Sequence, residues 1–318
     1  MLDTLSLATI EAAAERIAPY VLRTPTLVHE EAHGTLHLKA ESLQPIGAFK
    51  IRGAFSMMTT LDGAPGVVAH SSGNHAQAVA RAAKVLGIPA VIVMPSDAPP
   101  MKLERTKADG AEVIIVSPDS DEREQRAAAI AEERGYVPVP PFDHPLVAAG
   151  QGTAALELLA DAPALDRFYA PVSGGGLMAG CATVFAAKSP GCEIVGVEPE
   201  DADDTKRSLA AGERKKVAPP KTIADGLRVR TPGRGTFEVI KKHVSRVELV
   251  TDDELLDSMR FAAVRLRLVL EPSGAASLAV ARRELRDRGG HAGVLLSGGN
   301  ADPAVFARCL SAPDPTPR

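Results

Sequence analysis

The sequence predicts an α/β protein in which mainly parallel sheets are flanked by helices. Short runs of apolar and β-branched residues recur along the chain, and longer amphipathic stretches separate them. The runs are nearly continuous in Val, Ile and Leu, which is typical of strands covered on both faces. Glycine-containing loops follow several runs, at the place where open parallel sheets bind ligands.

The predicted elements alternate along the chain. The strands, in order, are residues 36–39, 66–69, 90–94, 112–116, 168–172, 193–197 and 293–296. The covering helices are expected at residues 74–86, 121–134, 176–188, 252–268 and 274–287. The mixed charges of residues 121–134 are interpreted as a solvated helix face. Pro138, Pro140, Pro141 and Pro145 cluster around a candidate hinge or domain crossing near residue 143, and residues 212–235 are predicted to form a long loop over a site.

Composition excludes several classes of protein. The net charge of the 318 residues is −4, so no basic field is present to attract nucleic acid or an anionic membrane. The three cysteines form no CxxC motif, which argues against a disulfide framework or a zinc site and fits a cytoplasmic location. Residues 168–187 carry no charge, but a proline and three glycines interrupt them, so a strand, a loop and a helix are expected instead of a membrane span.

Three loops and one lysine are candidates for chemistry. Residues 171–180 (PVSGGGLMAG) form a strand end, a glycine turn and a helix start, which suits a phosphate but lacks a nucleotide fingerprint; a close-packed turn is the alternative. Residues 70–77 (HSSGNHAQ) could hold a carboxylate or be an ordinary helix start. Residues 296–300 (LSGGN) end the last strand similarly. Lys50 lies between Phe49 and Ile51, where an apolar setting would make its amine nucleophilic, unless it is a surface lysine.

These segments together resemble a known family. Seven segments are similar, in order, to motifs of the fold-type II pyridoxal-phosphate enzymes, and within that group to the threonine dehydratase and serine racemase family. They are residues 47–54, 70–77, 149–153, 173–177, 224–226, 271–274 and 296–300. The resemblance runs from about residue 16 to residue 302. It implies two open, twisted, mainly parallel sheets, with residues 1–56 and 144–318 forming a large cofactor-binding domain and residues 57–143 a small substrate-gating domain. It also implies a homodimer.

The resemblance assigns roles by matching position. Lys50 would form the Schiff base with pyridoxal 5'-phosphate and take the α-proton, and Ser72 would act on the opposite face of the substrate. The other implied cofactor contacts are Phe49, Asn74, Ser173, Gly174, Gly175, Gly176, Leu177, Gly226, Glu271 and Ser297. The substrate carboxylate would be held by Ser71, Ser72, Gly73, Asn74 and His75. The loop begins with Ser173 where many relatives have a fourth glycine, and Ala48 replaces a common serine.

An acidic segment follows the strand that ends at Val197. Carboxylates with an intervening carbonyl suit Mg²⁺, Mn²⁺ or Ca²⁺. The resemblance implies that Glu198, Asp204 and the Ala202 carbonyl are the ligands, and a solvated acidic loop is the alternative.

The expected reaction is dehydration and deamination of L-threonine to 2-oxobutanoate and of L-serine to pyruvate. Serine racemisation and 3-hydroxyaspartate dehydration are close alternatives, and Phe142 favours threonine over a substrate with a second carboxylate. A non-catalytic protein that binds an amino acid or the cofactor is the alternative of another class, and the presence of Lys50 argues against it.

Overall fold

The computed structural model describes residues 2–71, 73–98, 100–118 and 120–311, and it confirms an α/β fold with two mainly parallel sheets. The larger sheet has the strand order β1-β2-β10-β7-β8-β9. Only the β1–β2 pair is antiparallel. Its strands are β1 (Thr26–Glu31), β2 (Gly34–Lys39), β7 (Arg167–Pro171), β8 (Glu193–Pro199), β9 (Arg246–Val250) and β10 (Gly290–Leu295).

The smaller sheet is wholly parallel and has the order β5-β4-β3-β6. Its strands are β3 (Val67–His70), β4 (Ala90–Pro95), β5 (Glu112–Val116) and β6 (Val137–Pro138). All four lie inside the segment proposed as the small domain, whose boundaries remain a prediction.

Helices cover both sheets. In chain order they are α1 (Leu7–Ile17), α2 (Lys50–Met58), α3 (Asn74–Leu86), α4 (Pro100–Ala108), α5 (Ser120–Arg134), α6 (Pro145–Asp161), α7 (Gly176–Lys188), α8 (Asp204–Ala211), α9 (Arg234–His243), α10 (Asp252–Phe261), α11 (Pro272–Arg288) and α12 (Pro303–Ser311). A π-helical turn, Ala262–Leu266, follows α10 and accounts for the longer helix predicted there. Within the described residues, no helix combines the length and apolarity that crossing a membrane requires.

Helices α6 and α7 pack unusually closely because glycines face each other. A Cβ on Gly180 would lie 2.2 Å from the Ala148 carbonyl oxygen, and one on Gly152 would lie 2.8 Å from the Gly180 carbonyl oxygen. The motif at residues 149–153 therefore has a packing role. Gln151 from the same motif accepts a hydrogen bond from the Gly53 amide at 3.2 Å, which joins α6 to the helix that begins with Lys50.

A buried charge network lies beneath α2. The Arg52 guanidinium donates to Glu41 at 2.7 and 2.8 Å and to both carboxylate oxygens of Glu157 at 2.7 and 2.8 Å. Lys39 pairs with Glu157 at 2.6 Å. The side chains of Arg52 and Glu41 have no solvent exposure. Burial works against both charged forms, but their mutual attraction lowers the pKa of Glu41 and raises that of Arg52.

Candidate active site

A cavity of about 420 Å³ lies beyond the carboxyl ends of β3, β7 and β10. This is the position that open α/β sheets use for ligands. Its lining contains every predicted cofactor residue and the described members of the predicted carboxylate cradle. Ser72, predicted to act in catalysis and in substrate binding, lies outside the described residues. The predicted loop at residues 212–235 also contributes to the lining, through Lys216 and a segment from Asp225 to Thr231.

Lys50 is the first residue of α2 and its amine faces this cavity. The Phe49 amide donates to the Ser297 carbonyl at 3.1 Å, and the Gly299 amide donates to the Gly47 carbonyl at 2.8 Å, so the start of α2 is fixed to the loop after β10. Lys50 Nζ donates to the Pro141 carbonyl at 2.8 Å and has no carboxylate partner among the contacts of the described residues. Burial lowers the pKa of Lys50 to about 8. A useful fraction of neutral, nucleophilic amine is therefore present near neutral pH.

The glycine loop lines the same cavity as Lys50 and forms the uncapped N-terminus of α7. Ser173 and Gly175 have φ values of 52° and 92°, in the left-handed region. Thr236 donates to the Gly174 carbonyl at 2.7 Å, and Ser173 Oγ donates to the Gly226 carbonyl at 3.1 Å. With the Gly174 carbonyl and the Ser173 hydroxyl held in this way, and the Gly175 amide donating to the Val172 carbonyl at 3.0 Å, the remaining amides of the loop can be offered to an anion, and the helix dipole adds to the attraction.

Helix α3 supplies a second uncapped N-terminus at the cavity, with Gly73 as its N-cap. The Ser71 hydroxyl accepts a hydrogen bond from the Gly73 amide at 3.2 Å. The imidazole of His75 is buried and its Nε2 hydrogen-bonds the Val139 carbonyl at 2.8 Å. Burial, reinforced by the charge of Lys50, lowers the pKa of His75 to about 3, so the ring is neutral. We therefore expect the backbone amide of His75 to serve a substrate carboxylate.

Asn74 has a fixed side-chain orientation. Its Nδ2 donates to Glu271 Oε1 at 2.5 Å, and its Oδ1 accepts from Asn300 Nδ2 at 2.9 Å. The second hydrogen on Nδ2 is thus left for a ligand. Ser297 is 4% exposed and lies nearby as a neutral hydroxyl, which can hydrogen-bond a pyridine nitrogen without forcing a charge on it.

Several charged residues at the cavity were not predicted as site residues from the sequence, among them Lys102, Asp225, Arg123 and Glu124. The buried Lys102 pairs with the half-buried Asp225, whereas Arg123 and Glu124 reach the cavity from the first turns of α5. The interpretation of residues 121–134 as a solvated helix face does not hold for Arg123, which is partly buried, whereas Glu124 is exposed as that interpretation expects. Arg123 Nε is buried without a hydrogen-bond partner, which sets it apart from the solvated arginines of the same helix. A signal was available for Asp225, because it lies in a motif that the resemblance had singled out.

The predicted metal ligands lie away from this cavity. Glu198 is buried at the end of β8 and accepts hydrogen bonds from the Thr205 and Lys206 amides at 3.1 and 3.0 Å. Both carboxylate oxygens of Asp204 are buried without a hydrogen-bond partner. Ala202, two residues earlier in the chain, is also buried. Burial and the neighbouring charge raise the pKa of Asp204 to about 8. The described residues contain no cluster of three or more His, Cys, Asp or Glu side chains that could hold a metal. The orphaned Asp204 oxygens nevertheless fit a cation whose shell water would complete.

Comparison with known proteins identifies the family. Residues 15–298 match the family of pyridoxal-phosphate dependent enzymes. The chain belongs to this family. A lysine of lowered pKa and a glycine loop at a helix N-terminus, both lining one cavity, suit this cofactor, which carries an aldehyde and a phosphate.

The relatives of this pyridoxal-phosphate enzyme have several activities. It is 42% identical over 324 aligned residues to a serine racemase from Schizosaccharomyces pombe, with 98% of this chain and 100% of the relative covered. It is 41% identical over 315 residues to an L-threo-3-hydroxyaspartate ammonia-lyase from Saccharomyces cerevisiae, with 96% of each chain covered. A solved threonine deaminase from T.th. superposes with a TM-score of 0.90 at 46% identity, covering 93% of this chain and 99% of that one. The protein is therefore an enzyme of the ammonia-lyase and racemase group.

Proposed function

We propose that this enzyme is a pyridoxal-phosphate-dependent ammonia-lyase that converts L-threonine to 2-oxobutanoate and ammonia, and L-serine to pyruvate and ammonia. The observation that carries the proposal is that the Lys50 side chain, the uncapped N-terminus of α7 and the uncapped N-terminus of α3 all line one cavity. The lysine suits the aldehyde, the glycine loop suits the phosphate, and the start of α3 suits the carboxylate of an amino acid.

The bound cofactor would supply the electron sink that makes the α-proton of the substrate acidic. Lys50 takes that proton, since burial keeps part of its amine neutral near pH 7. The amides at the start of α3 hold the substrate carboxylate, while the glycine loop holds the phosphate. Ser297 contributes a neutral hydrogen bond at the ring, which favours prompt loss of the β-hydroxyl over a long-lived anion.

Phe142 supports the preference for a small, uncharged side chain. Its ring packs against the glycine loop so closely that a Cβ on Gly174 would lie 2.2 Å from the ring. The ring therefore forms an apolar wall of the cavity. The similarity to the solved threonine deaminase supports the same choice.

A second candidate is dehydration of 3-hydroxyaspartate to oxaloacetate and ammonia. Arg123 favours it, because its buried Nε without a hydrogen-bond partner could meet a second carboxylate. Lys216 and Arg230 add positive charge to the same lining. Serine racemisation remains a prediction that depends on Ser72, for which the described residues offer no geometry.

Replacing Arg123 with methionine separates the two lyase candidates. If the enzyme acts on threonine, we expect kcat/KM for L-threonine to change little and to exceed that for L-threo-3-hydroxyaspartate in the parent enzyme. If Arg123 binds a second carboxylate, the substitution should lower kcat/KM for hydroxyaspartate by roughly tenfold to a hundredfold, the loss of a charged hydrogen bond. Release of 2-oxo acid from both substrates and from L- and D-serine measures this, and Arg126→Met, at an arginine of α5 that does not line the cavity, is the matched control.

Chelation should reveal whether the acidic site binds a cation. We propose that Glu198, Asp204 and the Ala202 carbonyl hold Mg²⁺, Mn²⁺ or Ca²⁺, because a cation would satisfy the two orphaned Asp204 oxygens. Dialysis against a chelator should then lower the melting temperature, and restoring one of these ions should recover it; saturation at a hundred times Kd corresponds to about 2.7 kcal/mol. Asp204→Asn should be insensitive to the ion. Identical melting curves for the dialysed and reloaded protein would rule the site out.

A further inference from the structure

A buried lysine connects helix α4 to the wall of the cofactor cavity. The side chain of Lys102 is 5% exposed, and its Nζ lies 2.5 Å from Asp225 Oδ2 and 3.8 Å from Glu271 Oε2. Lysines are rarely buried this deeply unless they are paired. Burial works against the ammonium, but Asp225 and Glu271 outweigh it and raise the pKa of Lys102 above its ordinary value. The ammonium is therefore a permanent charge at this wall.

Glu271 depends on that charge. It is 2% exposed, and although it is the N-cap of α11 its side chain makes no cap hydrogen bond. Oε1 accepts from Asn74, whereas Oε2 has no hydrogen-bond partner and faces Lys102. Burial, together with the charge of Asp225, raises the pKa of Glu271 to about 7 against the opposing charge of Lys102. Lys102 and Asp225 are thus the charged groups that act most strongly on this carboxyl.

The same helix reaches Asn74 by a second route. Arg105, one turn after Lys102, donates to Asn300 Oδ1 at 2.6 Å. Asn300 in turn donates to Asn74 Oδ1 at 2.9 Å and to the Ile46 carbonyl at 2.8 Å. A hydrogen-bonded chain therefore runs from Arg105 through Asn300 and Asn74 to Glu271, and Lys102 faces the free oxygen of Glu271 at 3.8 Å.

We propose that Lys102 is a positioning residue for the cofactor ring, because it holds the Glu271 carboxylate as an anion that accepts a hydrogen bond from Asn74. The anion fixes one Nδ2 hydrogen of Asn74 and leaves the other for the ring hydroxyl of the cofactor. If Glu271 gains a proton, that proton competes with Asn74 for the carboxyl oxygens, and the amide loses its orientation. The inference rests on the proposed placement of the cofactor ring beside Asn74.

The test measures the dissociation constant of pyridoxal phosphate across the pH range in which Glu271 titrates. In the parent enzyme we expect binding to weaken as the pH falls through that range. Lys102→Met removes the opposing charge, so the midpoint should rise by about one pH unit or more, which weakens binding about tenfold below it. Lys102→Arg should restore the parent midpoint. Lys107→Met, at an exposed lysine of the same helix, should leave it unchanged.

Two further variants separate electrostatic positioning from damage to the fold. Asp225→Asn removes the anion that raises the pKa of Glu271. The pH midpoint of cofactor binding should therefore fall in this variant, whereas it rises in Lys102→Met. In a Glu271→Gln background, Lys102→Met should produce no additional shift. The proposal is overturned if Lys102→Met weakens binding equally at every pH, or if its shift persists in the Glu271→Gln background. A parent protein that does not bind the cofactor at all would instead refute the proposed function.

Discussion

Lys50→Ala is expected to abolish ammonia-lyase activity and to leave the cofactor without a covalent link to the protein. The substitution removes both the nucleophile and the base, and loss of a positioned base alone costs about 10²- to 10⁴-fold in rate. The glycine loop is untouched, so the phosphate should still bind, more weakly and reversibly. Borohydride reduction followed by mass spectrometry of the tryptic peptides should place the cofactor on Lys50 in the parent enzyme and on no lysine in the variant.

The control for this experiment is Lys107→Ala, an exposed lysine outside the cavity, which should retain the activity and the labelled Lys50 peptide. A covalent adduct at another lysine, or 2-oxo acid release unchanged in Lys50→Ala, would move the chemistry to a different residue. A parent protein that gave no adduct would revive the non-catalytic alternative.

Of the substitutions proposed here, Arg52→Met is expected to destabilise the protein most, by about 3 to 5 kcal/mol in the free energy of unfolding. The substitution leaves Glu41 buried without its cation, beside a Glu157 that retains only Lys39. Urea denaturation of the apoenzyme, followed by far-ultraviolet circular dichroism, measures the loss as a lower midpoint at an unchanged slope. Because Arg52 is two residues from Lys50, the residual folded protein should also bind the cofactor less tightly.

A surface pair provides the comparison. Arg134 pairs with Glu112 at 2.6 Å where both side chains are solvated, so Arg134→Met should leave the urea midpoint almost unchanged. If Arg52→Met matched this control, the desolvation of the buried charges would have cancelled their attraction. A double substitution of Arg52 and Glu41 by apolar residues should recover part of the loss, because no lone charge would remain.

Six of the strands that the sequence analysis predicted are interior strands, and the seventh, β5, is an edge strand that still carries an apolar run from Val113 to Val116. Three strands were missed. β1 and β9 are edge strands of mixed polarity, and β6 has two residues ending in Pro138, so none shows the continuous apolar run of an interior strand. Helix α6 was also missed, because its small and apolar residues are buried on most sides and give no amphipathic period.

The site was predictable where chemistry depends on local sequence. Residue type next to a strand end or a helix end is enough to single out the glycine loop, Lys50 and the start of α3. The wall formed by Lys102 and Arg123 was not predictable in this way, since lysines and arginines on polar helices are usually solvated. Only the packing of α4 and α5 against the cavity distinguishes these two cations from their neighbours.

The conformation of Ser173 affects how readily the glycine loop can bind a phosphate. A non-glycine residue in the left-handed region costs about 1 to 2 kcal/mol, yet a serine has fewer conformations to lose on folding than a glycine has. Its hydroxyl, held to the Gly226 carbonyl at 3.1 Å, helps to offset that cost. The loop is therefore preorganised, because its conformational entropy is lost when the chain folds. Ordering the backbone then subtracts little from the binding free energy of a phosphate.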